Sequence, residues 1–396
     1  MSLLLRNPQT TMLNKKNLLV MNQNEQIDNQ EERGYPKIVD TRLRQLYYAI
    51  EDSKCEALVV THVPHVRYLT NFSGSSATLF VTENELHFVT DDRYEEQIQT
   101  ELFPLPNLKT HISRDPWQLI SDKKILKDTS TIAFEADQLY YSEAILIRNQ
   151  IRPVKFKPVV KMVEPFTIPK SPEELENIEK AAQIAVQVYD KILEIIKPGI
   201  TEKDIDTEIA YQSRKLGSEN DPFGIIVVSG PRSSLVHGIA GDRKLKAGDI
   251  VLMDFGCRVK GFSSDITRTV AVGKATKEQK SIYKLCYEAK EAAIEEVRPT
   301  MNGKNLDAVA RNMIEKAGYG DYFQHSLGHG IGIAAHELPI ITFRKDDQVV
   351  VENCVLAIEP GVYLPNKFGI RVEDMCLVTR NGGQHLTKAP EELLII

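Results

Sequence analysis

The chain has 396 residues and a formal net charge of −6 without a long basic run, which argues against nucleic acid or an anionic membrane surface as a partner. That length is too great for one compact core and suits two domains. Five cysteines (Cys55, Cys257, Cys286, Cys354, Cys376) are odd in number and lack framework spacing, so reduced thiols in a cytoplasmic protein are expected, and no Cys-x-x-Cys pair argues for a structural zinc site.

Residues 1–35 are rich in Asn and Gln with only short apolar clusters such as Leu3-Leu4-Leu5 and Leu18-Leu19-Val20-Met21. They contain neither a signal-peptide core nor a membrane span, and a disordered or loosely docked extension is expected. Residues 36–165 read as a small α/β domain. Asp40 to Ser53 has the apolar period of an amphipathic helix, followed by the strand Ala57-Leu58-Val59-Val60, a polar turn, and strands at Thr78-Leu79-Phe80-Val81 and His87-Phe88-Val89-Thr90. Pro153, Pro158, Pro165 and Pro169 mark a linker. Ser171-Pro172-Glu173-Glu174 then offers an N-cap, a proline at the first helical position and a capping-box acid, the start of a long helix opening a second domain over 166–396.

That second domain repeats itself. Lys197 to Gly217 aligns without a gap to Arg298 to Gly318, matching Pro198 with Pro299, Asp206 with Asp307 and Lys215 with Lys316. Ser234-Leu235-Val236-His237-Gly238-Ile239 is echoed by Ser326-Leu327-Gly328-His329-Gly330-Ile331, and Met253-Asp254-Phe255-Gly256 by Ile358-Glu359-Pro360-Gly361. Each half thus contributes a histidine and two carboxylates, the second acids being Asp265 and Glu373. The flanking apolar runs predict two β-hairpins, with Asp254 roughly opposite Asp265 and Glu359 facing Glu373. Like charges at such cross-strand positions are destabilising, so the arrangement calls for cations. Two divalent ions answer that need, and carboxylates with imidazole suit Mn, Fe, Co or Zn.

At these residues the chain resembles the pita-bread metallopeptidases: methionine aminopeptidase, Xaa-Pro dipeptidase (prolidase) and aminopeptidase P. The ordered motifs that carry the resemblance are His237-Gly238, Asp254-Phe255-Gly256, Ser264 through Thr269, His325-x-x-Gly328-His329-Gly330-Ile331-Gly332, His336-Glu337, Glu359-Pro360-Gly361 and Arg371-Val372-Glu373-Asp374. Val66 through Ser75 and Asp91-Asp92-Arg93-Tyr94 look like the creatinase-type N-terminal domain found in aminopeptidase P, prolidase and creatinase. The implied fold is an α/β N-terminal domain followed by an α+β pita-bread catalytic domain with an internal pseudo-twofold duplication. For Tyr68 and Phe72, plain packing is the expected role.

The resemblance implies metal ligands Asp254, Asp265, His329, Glu359 and Glu373 for two divalent ions, Mn2+ first and Co2+, Zn2+ or Fe2+ as alternatives. It places His237, His325 and His336 where substrate or a tetrahedral intermediate is touched, Arg371 beside the ligands, and Glu359 as proton acceptor. The alternative for His325 and His336 is ordinary residues satisfied by backbone, although the glycines around His329 argue for close backbone approach there. Cys257 and Cys354 lie near ligand positions, but no base is placed to make either a nucleophile. A proline-containing peptide is the expected substrate and a homodimer the expected assembly. Aminopeptidase P-like release of the N-terminal residue before proline is expected, with Xaa-Pro dipeptidase as the alternative and, more remotely, a creatinase-like amidinohydrolase or an inactive binding member. The preference rests on Ile340, which stands four residues after His336 where several archaeal-type prolidases carry an arginine for a dipeptide's carboxylate. Arg344 is the nearest substitute. Glu352-Asn353-Cys354 replaces a common Pro-Gly turn, an acceptable change.

Overall fold

Apolar residues spaced for one helical face open the ordered chain. In the computed structural model, which describes residues 37–396, helix α1 spans Lys37–Asp52 and buries Leu43, Leu46 and Ile50. The extension expected over 1–35 lies outside the described residues. Strand β1 (Ala57–Val60) is buried at every position, as a continuous apolar run in the middle of a sheet should be. Helix α2 (Val63–Thr70) follows, where the sequence reading saw only a polar turn; Pro64 sits in its first turn and Val66 and Leu69 face the core. Strands β2 (Ala77–Val81), β3 (Leu86–Thr90), β4 (Leu108–Ile112), β5 (Thr131–Glu135) and β6 (Lys155–Val159) complete a six-stranded sheet ordered β4-β3-β2-β1-β5-β6. It is mixed, with β1, β5 and β6 parallel and β2 antiparallel to both neighbours. Tyr68 lies under the Arg42 guanidinium at 4.0 Å, and Phe72 meets Phe88 and Tyr94 edge to face, so both are packing residues as expected.

The capping box at Ser171 and Glu174 is formed, and helix α3 runs over Pro172–Leu193. Its sequel is the duplication. Helix α4 (Glu202–Lys215), strands β7 (Ile226–Ser229), β8 (Ile250–Phe255) and β9 (Ile266–Ala271), and helix α5 (Lys277–Glu296) lead into helix α6 (Gly303–Lys316). Strands β10 (Gly328–Gly330), β11 (Glu337–Ile341), β12 (Val355–Ile358), β13 (Gly361–Leu364), β14 (Phe368–Arg371), β15 (Asp374–Thr379) and β16 (Gly382–His385) follow. Helices α4 and α6 have 14 residues each, start at the side-chain caps Thr201 and Asn302, and are followed by Gly217 and Gly318 at φ +107° and +85°. Only glycine adopts that left-handed turn without strain, which is why both copies keep it.

Strands β8 and β9 pair as one hairpin, β12 and β15 as the other, with β10 on the far side of β12. The second register sets Ile358 opposite Asp374 and Gly361 opposite Arg371, which continues to Glu359 opposite Glu373 as expected. The first does not: Asp254 pairs with Thr267, and Asp265 lies two residues before that position. A diagonal rather than direct pairing still leaves the two acids close.

One apolar cluster runs through both lobes, joining Leu43 and Phe72 to Ile178, Ile331, Ile333 and Met375. The N-terminal lobe thereby backs the loop between β10 and β11. Among the described residues no helix is long and apolar enough to cross a membrane.

Candidate metal centre

The hairpins bring their acids together where they emerge from the apolar sheets. Ligand atoms of Asp254, Asp265 and Glu373 lie within 4.8 Å of one another, as do those of His329, Glu359 and Glu373, and those of Asp265, His329 and His336. Glu373 belongs to two of these groups. Gly328 and Gly330 let the His329 strand in: a Cβ on Gly328 would stand 2.0 Å from the Ala357 carbonyl oxygen, and one on Gly330 2.1 Å from that of Leu338. The close backbone approach expected around His329 is present, and it explains why no larger residue fits.

His329 is oriented for ligation. Its Nδ1 donates to the Gly330 carbonyl at 2.9 Å, leaving the Nε2 lone pair 3.7 Å from Asp265 and 3.8 Å from Glu359. Burial and the neighbouring His336 hold its pKa down to about 3, so the ring is neutral.

Arg371 ties the two halves together. Its guanidinium donates to Asp254, to Thr267 Oγ1 at 2.9 Å and to the Tyr363 hydroxyl at 2.8 Å, while Thr267 donates onward to Glu373 at 2.6 Å. Tyr363 and Lys290 gave no sequence signal, and Thr267 lay inside a motif without a role of its own; the register and the packing bring all three here. Behind Glu373, Arg268 and Lys290 both bind the buried Asp374, and they hold its carboxyl at about 2 against the opposing effect of burial.

Even so, the site carries excess negative charge. Burial, together with Glu373 and Asp254, raises Asp265 well above the carboxylate range; burial and Glu373 do the same to Glu359; burial and Asp254 push Glu373 up to about 8. Asp254 Oδ1 and Asp265 Oδ1 are buried without a hydrogen-bond partner. Buried acceptors left unpaired are costly, and a cation between them relieves both problems. The residues present therefore fit divalent metal.

The expected catalytic histidines differ in setting. His237 and His336 are exposed at the rim, His336 stacked obliquely on His329 with ring centroids 4.1 Å apart and touched edge-on by Phe223 at 6.1 Å. Phe223 gave no sequence signal of its own. His325 is engaged instead: Nδ1 bonds the Ser326 carbonyl at 2.8 Å and Nε2 the Tyr363 hydroxyl at 3.0 Å, and burial lowers its pKa to about 3. It sits on the same network as Arg371. Cys257 and Cys354 are buried, their thiols pushed up to about 11 and 12 by desolvation, which leaves neither reactive. Arg344 is not a helical turn from Ile340, because residues 337–341 are strand; Ile340 pairs with His329, and Arg344 donates to the Gln324 carbonyl at 3.1 Å, next to His325.

Residues 176–380 match the family model described as Metallopeptidase family M24. The chain belongs to that family. Residues 42–166 of this M24 peptidase match the Creatinase/Prolidase N-terminal domain, completing the two-domain pita-bread architecture. It is 35% identical to the Xaa-Pro dipeptidase of Pyrococcus furiosus over 363 residues, covering 89% of this chain and 99% of that one. Among solved structures, the Xaa-Pro dipeptidase from Bacillus anthracis superposes with a TM-score of 0.85 at 34% identity, over 90% of this chain and all of the other. The X-Pro aminopeptidase from Thermotoga maritima gives 0.82 at 32% identity, over 90% and 99%. All the ligand positions expected from sequence are brought to one site.

Proposed function

We propose that this M24 peptidase is an Xaa-Pro dipeptidase working with two divalent cations held by Asp254, Asp265, His329, Glu359 and Glu373. The observation that carries the reading is the pair of three-ligand groups that share Glu373, a geometry suited to two neighbouring ions. Four carboxylates and one imidazole favour Mn2+ over thiophilic metals. The dipeptidase reading replaces the aminopeptidase P expectation on two grounds. The Xaa-Pro dipeptidases of Pyrococcus furiosus, Pyrococcus horikoshii and Bacillus anthracis align over 99–100% of their length, and more of the similar proteins carry a dipeptidase or prolidase name than an aminopeptidase one. Arg344, which donates to the Gln324 carbonyl beside His325, supports the reading as the cation assigned to the carboxylate in place of Ile340.

When bound, the cations acidify water and polarise the scissile carbonyl. Glu359, the most open of the acids with 20% of its side chain exposed, accepts the proton of the attacking water and returns it to the proline nitrogen as the C–N bond breaks. His237 and His336 donate hydrogen bonds to the oxygen that gains charge. Phe223 offers an apolar face to the proline ring. Arg371 holds Asp254 and, through Thr267, Glu373, so the acids need not reorganise; His325 holds Tyr363 against Arg371. Arg344 receives the free carboxylate of the dipeptide.

Elemental analysis after reconstitution should give two ions per chain, falling in Asp265→Ala and Glu373→Ala together with hydrolysis of Ala-Pro. Binding of only a trace of metal under all conditions would overturn the reading. Because a hydrogen bond to a charged group contributes about 1.5 to 3 kcal/mol, Arg344→Ala should raise KM for Ala-Pro about tenfold or more with little change in kcat. An unchanged KM would remove Arg344 from the carboxylate role.

A further inference from the structure

The motif residue Glu337 is unused by the mechanism, yet it follows His336 as the first residue of strand β11 with its side chain 2% exposed. Its partner is Lys170, 1% exposed, on the linker that leads into helix α3. The Lys170 ammonium has all three donors engaged: the Thr167 carbonyl, the Ile168 carbonyl at 2.9 Å and Glu337 Oε1. The other Glu337 oxygen faces Thr167 Oγ1 at 3.4 Å and the Ala334 amide at 3.5 Å. A Cβ on Gly332 would stand 2.6 Å from Glu337 Oε1 and 2.7 Å from Lys170 Cε, so the loop carrying His336 folds directly around this ion pair. Lys170 is fixed in turn by its backbone N–H, which donates to the Asn353 carbonyl at 2.8 Å, and by the adjacent capping box, whose Glu174 binds Arg42 of the N-terminal lobe at 2.5 Å.

The pair also reaches the other histidine. Glu337 pairs with Gly330 across a register shift in β10–β11, and Gly330 supplies the carbonyl that orients His329. Buried ion pairs are weak sources of stability, because desolvation offsets much of their attraction; their better attested use is to select one arrangement of the chain. Here the arrangement selected is that of residues 332–336, which end at the rim histidine His336.

We propose that Lys170 and Glu337 are a positioning pair that sets His336 for catalysis, neither touching substrate. The inference rests on the role given to His336 above. Glu337→Gln keeps the shape and removes the charge. It should lower kcat on Ala-Pro about tenfold, the scale expected for misplacing a catalytic group by part of an ångström, with KM and metal content within about twofold of the parent. In a His336→Ala background the same change should have no further effect on kcat, since the group it positions is gone. In 15N-histidine-labelled, metal-free protein it should shift the His336 ring signals and leave those of His111 in place. If Glu337→Gln does not fold, Lys170→Gln with Glu337→Gln removes both charges together and carries the same comparisons. A variant that loses thermal stability but keeps parental kcat per folded, metal-loaded molecule, or whose effect multiplies with His336→Ala, overturns the inference. If His336→Ala itself turns over normally, the role of His336 fails and this inference with it; if His336→Ala is slow and Glu337→Gln is not, only the positioning pair fails.

Discussion

Glu373 is gripped by groups that no metal replaces: Thr267 on its carboxylate, Arg268 on its carbonyl, and Asp374 beside it clamped by Arg268 and Lys290. Lys290 is wholly buried, so Lys290→Met leaves Asp374 with a lost counter-ion in the core. Removing one partner of a buried pair typically costs about 3 to 5 kcal/mol, and urea unfolding of the variant should show a loss of that order; a change below about 1 kcal/mol would mean Arg268 alone suffices. The clustered acids carry a second prediction. Without metal, Glu373 titrates near 8 and Asp265 and Glu359 well above their ordinary range, all higher than in the unfolded chain. The folded metal-free protein therefore binds more protons than the unfolded chain between about pH 4 and 8, and its stability falls as pH rises through that window. Metal displaces those protons, so calorimetric titration at pH 7 in two buffers of different ionisation heat should reveal net proton release. Equal apparent enthalpies in both would contradict the raised carboxyls.

At the level of elements, the site depends on three strands approaching closer than side chains allow. Gly328→Ala would drive a methyl group into the Ala357 carbonyl and separate β10 from β12, taking His329 off line. Metal affinity should fall at least about tenfold, the scale seen when ligand orientation is lost, and a competition titration with a chelator measures it. Parental affinity would show that the strand yields without moving His329. The hairpins were largely legible in the sequence because apolar runs ending in an acid, twice, have few other readings. The diagonal pairing of Asp254 and Asp265 was not legible, because register is set by a turn in which Lys260 and Gly261 both take positive φ, and counting residues does not reveal that. Helix α2 was missed because its proline-containing start reads as a turn until Val66 and Leu69 are seen to meet the core.

For the whole molecule, the duplication and the ordered motifs made the two-lobed fold readable before any geometry, and they single out the acids that the structure gathers at one site. What stayed hidden were the residues defined only by long-range packing: Phe223 against His336, Tyr363 between His325 and Arg371, and Lys170 under Glu337. Peptide length is set at the same scale: Ile340 offers no cation, and Arg344, in the turn after β11, lies beside Gln324 only because the chain folds it there. The most direct test is a side-by-side assay of Ala-Pro, Ala-Pro-Ala and Ala-Ala with the Mn2+-reconstituted enzyme. A dipeptidase shaped for proline gives its highest kcat/KM on Ala-Pro and is at least about tenfold slower on Ala-Ala, as expected when a pocket built for the ring loses it; a clear preference for Ala-Pro-Ala, or no hydrolysis of Ala-Pro, would contradict the account.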